Sequence, residues 1–259
     1  MNRHWRTAEE RFDFQSGTWT CSIDPRHPER GAVVARKTIP ETGNPQPPGS
    51  EPYSAAEAEL RAEIFALPTL AAGSYQAAES FARRGDLHLN YAATKELPTS
   101  VSLCWRLHET AEWLPNLTVA ESTECLLLEV VISFQTDLLD AVPVRETQVR
   151  LPRGRILPLP PLRPAQPGEI ERPTSENASL LEANGSLWLS VVYPSDLRWL
   201  ALSRDSQTIQ QQIRLRAENL EKGVIRRLRC LFALAPASAL ESVRELPHRF
   251  ADSRLPLSF

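Results

Sequence analysis

The chain is poor in lysine. Lys37, Lys95 and Lys222 are the only ones among 29 basic residues, and methionine occurs only as Met1. That bias is the signature of a GC-rich, bacterial-type genome and says nothing of fold. Neither sign of charge is in excess: 29 basic against 32 acidic residues give a net charge of -3. No overall field would therefore draw the chain onto a phosphate backbone or an anionic surface, and nucleic acid is not an expected partner. No apolar run approaches the ~20 residues that a membrane-spanning helix needs, so no membrane association is expected. The opening residues, Met1 to Arg11, hold no apolar stretch of the secretory type. A cytoplasmic address is the expectation.

Cysteine is sparse and scattered. Cys21, Cys104, Cys125 and Cys230 each lie inside an apolar run, and no two have the close spacing of a zinc or redox pair. Buried reduced thiols are expected, with no metal and no cofactor. The common enzyme fingerprints are also missing: there is no glycine-rich phosphate loop, no Gly-x-Ser-x-Gly turn and no His-Glu-x-x-His helix.

Proline, by contrast, is plentiful, at 22 residues against 10 glycines. Proline neither continues a helix nor donates to a ladder, so the chain reads as many short elements joined by turns. Period-two alternation recurs throughout: Trp19, Cys21 and Ile23; Leu87, Leu89 and Tyr91; Val101, Leu103, Trp105 and Leu107. Residues 60–67 alternate as a strand behind a helix-like Ser54 and Glu57. Cys125 to Phe134 is almost continuously apolar and predicts a central strand covered on both faces, hence a second layer. Further strands are expected at Ser186–Tyr193 and Leu197–Ser203. Ile209 to Ala217 and Val224 to Leu234 read as two arms of a terminal hairpin, with Arg214, Arg216, Arg227 and Arg229 on one outer face.

The one convincing helical signal is in the tail, where Ser238 and Glu241 have capping-box spacing ahead of Leu240, Val243 and Leu246. The expected fold is all-β: a large antiparallel β-sandwich, supersandwich-like or a distorted barrel, with one short C-terminal helix. Residues 1–259 read as one β-rich domain with a flexible loop at 40–52 and a Pro-rich crossover at 152–173. Pro158 to Arg163 in that crossover also fits a polyproline ligand, although wrapping the domain is the plainer reading.

Two neighbouring strands carry the most informative pattern. Asp86, His88 and Asn90 share one face of the first, and Cys104, Arg106 and His108 share one face of the second. With Lys95 to Thr99 as the turn, His88 falls opposite about Arg106, within one register step. Such a surface suits a hydroxylated or anionic ligand, histidine titrating near neutrality and arginine forking onto an acid. It is also what a solvated sheet face looks like. Glu129, a lone acid in an apolar strand, must be paired or hold a raised pKa, and Arg106 is one permitted partner. Among the tryptophans, Trp19, Trp105 and Trp188 read as core, whereas Trp113 and Trp199 are the better candidates for stacking on a sugar.

Two functions stay open. The first is a non-catalytic binding or structural-interaction protein presenting a sheet face to a protein or glycan partner. The second is a carbohydrate-active enzyme, epimerase-like or hydrolase-like, using Asp86, His88, His108 and Glu129.

Overall fold

A computed structural model describes residues 4–8, 10–36, 60–67, 75–83, 85–143, 146–160, 177–216 and 219–254. The loop expected at 40–52 and most of the crossover at 152–173 lie outside these residues. In chain order the strands begin with β1 (Arg6–Ala8), β2 (Arg11–Ser16), β3 (Trp19–Ile23), β4 (Ala32–Arg36) and β5 (Leu60–Ala66). Then come β6 (Gln76–Arg83), β7 (Asp86–Ala92) and β8 (Thr99–Leu107), followed by helical turns α1 (Thr110–Trp113) and α2 (Val119–Thr123). The chain continues through β9 (Leu126–Thr136), β10 (Glu146–Pro152), β11 (Arg155–Leu157), β12 (Ala178–Ala183) and β13 (Ser186–Val192). It ends with β14 (Leu197–Arg204), β15 (Thr208–Leu215), β16 (Arg226–Pro236), α3 (Leu240–Arg244) and α4 (Leu246–Asp252).

The strands form two eight-stranded antiparallel sheets, ordered β1-β2-β3-β4-β5-β10-β15-β14 and β11-β12-β13-β16-β9-β8-β7-β6. This is the expected all-β sandwich. Between the sheets lies one apolar layer, with Trp19 meeting Trp188 edge-on at 5.4 Å and Phe65 meeting Trp105 and Phe232 at 6.1 and 6.3 Å. Phe65 reaches across because it sits at φ 56° where the β5–β10 register slips, a bulge that re-aims its ring into the core. A void of about 10 Å³ beside Ile64, Trp188 and Phe232 leaves room for roughly one water, so no ligand lodges between the sheets there.

β9 has the central position expected of it, between β8 and β16. The terminal hairpin is not formed. β15 pairs with β10 and β14 in the first sheet, whereas β16 pairs with β9 and β13 in the second. Alternation reports that a strand has one buried face, not which strand lies beside it. The ten residues between Leu215 and Arg226 suffice to cross the roughly 10 Å between packed sheets. The four arginines therefore do not share one face, and Arg229 is buried.

The tail helices also differ from expectation. No side chain caps α3, and Ser238 instead donates to Glu121 at 2.7 Å. The capping box belongs to α2, where Thr118 and Glu121 satisfy each other's backbone amides.

Candidate functional site

The outer face of the second sheet is divided. Over β13 and β16 it is apolar: Leu187, Leu189, Val191, Leu231 and Ala233 cluster with Leu157, Leu159, Val243, Leu246 and Phe250. The first residues of the Pro-rich segment include β11, an edge strand of this sheet. Over β6, β7, β8 and the far half of β9 the face is polar and open. All the candidate residues but Trp199 fall on the boundary and on the open half.

At the boundary sits a buried ionic cluster. Glu129 and Arg229 are 1% and 2% exposed, and Arg229 Nε donates to Glu129 Oε1 at 2.6 Å. His108 Nε2 lies 2.8 Å from Glu129 Oε2 and must carry the proton there, since an ionised carboxylate only accepts. The remaining guanidinium nitrogens of Arg229 donate to the Ser253 carbonyl and hydroxyl at 3.2 and 3.1 Å. Its guanidinium carbon lies 4.7 Å from the Phe250 ring centre and 5.3 Å from that of Tyr193. Trp113 closes the outside, 4.7 Å from His108 and 6.2 Å from Phe250.

Burial alone would raise the Glu129 pKa, but the His108 hydrogen bond and the Arg229 charge outweigh it and hold the acid below its ordinary range. Nearby Asp196 goes the other way. Burial pushes its pKa up, although it accepts from the Arg229 amide at 3.0 Å and from Ser195 at 2.9 Å. The permitted Arg106–Glu129 pair is not made. The two residues face each other in register, but Arg106 turns to Asp86, donating through Nε at 3.2 Å and Nη2 at 3.0 Å. Arg229 is the residue that sequence reasoning missed, because it occupied an expected solvent face.

The open half is built row by row across the ladder. Asn90, Ser102, Ser133 and Arg227 are consecutive cross-strand partners on β7, β8, β9 and β16. The neighbouring row runs Phe81, His88, Cys104, Val131 and Arg229. His88 is thus opposite Cys104, and Asp86, not His88, is opposite Arg106. Serines are short and their neighbours tall, so the face sinks into an open depression of about 240 Å³ lined by His88, Asn90, Ser102, Ser133, Gln135 and Arg227. At its rim Phe81, 39% exposed, stacks on His88 at 4.9 Å and 16°.

Of the sequence candidates, Asp86, His88 and Arg106 come together on this half, and His108, Glu129 and Trp113 in the buried cluster. Trp199 belongs to neither, being half-buried on β14 at the edge of the first sheet. His88 gains company that spacing did not reveal: ligand atoms of Asp86, His88 and Cys104 all lie within 4.8 Å of one another.

No family model and no curated protein matches the chain. Among solved structures, a putative kojibiose phosphorylase from the human microbiome is similar with a TM-score of 0.38 and 8% identity, over 97% of this chain and 37% of that one. The chain thus spans little more than a third of that protein's length, and the agreement is too loose to assign function.

Proposed function

We propose that the protein is a non-catalytic binding protein whose second sheet offers its open outer face to a hydroxyl-rich, acidic ligand, an anionic glycan. The observation that carries this reading is the depression spanned by Asn90, Ser102, Ser133 and Arg227. Hydroxyl and amide groups there supply paired donors and acceptors for a sugar, and Arg227 supplies a fork for a carboxylate or sulfate. The exposed Phe81 ring adds a flat apolar platform at the rim.

The enzymatic alternative asks Glu129 or Asp86 to move a proton. Glu129 is sealed under Trp113 and Phe250 and held by two partners, and Asp86 is engaged by Arg106. A depression open to solvent is also a poor place to strengthen charge interactions in a transition state. These features support binding over catalysis.

The test is a glycan array read with the full chain, followed by calorimetry on the strongest acidic oligosaccharide. Ser102→Phe, filling the exposed floor, and Arg227→Ala are each expected to abolish binding, Ser102→Phe without shifting the melt by more than about 0.5 kcal/mol in stability. Binding that survives both variants, or no acidic glycan bound at all, would overturn the reading.

A further inference from the structure

We propose that Asp86, His88 and Cys104 form a site for one divalent transition-metal ion of the zinc class, held by three side chains and open toward the depression. Asp86 and His88 stand two apart on β7 and so share its outer face, and Cys104 is the direct cross-strand partner of His88 on β8. All three are thus fixed by ladder geometry, not by a loop. Their ligand atoms lie within 4.8 Å of one another. Around a tetrahedral zinc ion the spacing is roughly 3.4–3.7 Å, so closure needs a contraction of about an ångström, within the reach of small χ rotations.

The donor set selects the ion. A thiolate with an imidazole favours zinc, cobalt or copper over calcium or magnesium, which prefer oxygen. Carboxylate and thiolate together supply two negative charges against the ion's two positive ones. Arg106, hydrogen-bonded to Asp86 at 3.0 and 3.2 Å, holds that carboxylate as outer partners hold metal ligands. The stacked Phe81 fixes the plane of the His88 ring. With three protein ligands, the fourth position faces the depression, where water or a ligand hydroxyl can enter.

A thiol ligates a metal as its thiolate, so binding releases the Cys104 proton. This site stands or falls independently of the glycan reading.

The experiment uses the full chain, stripped by a chelator and titrated with Co²⁺. One ion per chain is expected, with a near-ultraviolet thiolate-to-cobalt band that Zn²⁺ displaces. Cys104→Ser should erase the band, and Asp86→Asn and His88→Gln should each weaken binding by about a hundredfold, since even outer partners of a metal ligand count for roughly 10–100-fold. These last two positions are only half-buried, so they keep the test decisive if Cys104→Ser does not fold. No band in the unaltered chain, a band surviving Cys104→Ser, or unchanged affinity in Asp86→Asn and His88→Gln would overturn the proposal.

Discussion

Arg229 Nε donates to Glu129 Oε1 at 2.6 Å although the two residues are 100 positions apart in the chain and both are sealed from solvent. The pair joins β16 to β9, and through Ser253 it also ties down the end of α4.

Removing one partner should therefore be far worse than removing both. Arg229→Leu leaves a buried carboxylate with His108 alone and is expected to cost about 3–5 kcal/mol. Glu129→Leu strands the guanidinium at a similar cost. Denaturant melts of the two single variants and the double variant should give a double-mutant loss well below the sum of the singles.

The same pair sets an acid limb. The Glu129 pKa is lower in the fold than in the unfolded chain, so its contribution is fully present above the ordinary glutamate value of about 4.3 and lost as pH falls through the folded value. Asp196 has the opposite sign: its raised folded pKa makes its share of stability grow as pH falls toward the ordinary aspartate range. Melts over a pH series should show a shallower acid loss in Glu129→Gln and a steeper one in Asp196→Asn.

Two glycines with positive φ should respond differently to alanine. A Cβ on Gly31, at φ 60°, would stand 2.2 Å from the Ile64 carbonyl oxygen. On Gly223, at φ 80°, it would meet nothing within 4 Å. Gly223→Ala should lose about 1–2 kcal/mol from backbone conformation alone. Gly31→Ala should lose clearly more, because β4 and the bulged β5 must part, and thermal melting of the two variants decides the order.

The thiols should be silent in the native protein. All four cysteines are buried, and burial raises the pKa of Cys21, Cys104 and Cys230. A thiol reagent at neutral pH is expected to find none in the folded chain and four after denaturation without reductant. Fast modification of the native protein would contradict this burial.

Much of the architecture could be read from side-chain alternation, because a half-buried strand writes its buried face into every second residue. The β7–β8 hairpin, the central β9 and the core tryptophans Trp19, Trp105 and Trp188 all follow from it. Partner choice does not, since Ile209 to Leu215 looks the same beside β10 as beside β16. For that reason Arg229 read as a solvent-facing arginine, and Glu129 lacked its true partner. The meeting of Cys104 with Asp86 and His88 was hidden likewise, because a cross-strand neighbour has no sequence spacing to betray it. Short α1 and α2 were missed because a turn or two of helix has no room for a periodic stripe.

The split of β15 and β16 between sheets has a consequence for how the molecule comes into being. β9 and β13 are neighbours of β16, not of each other. During synthesis the second sheet therefore exists as two separate halves, each with a long unpaired apolar edge, until residue 236 has emerged. Bringing strands so distant in the chain into register is slow, and the waiting edges are prone to pair with other chains. Closure of this sandwich waits on a keystone strand, and a nascent chain stalled before β16 has made every other strand of the second sheet but has no means of joining its two halves.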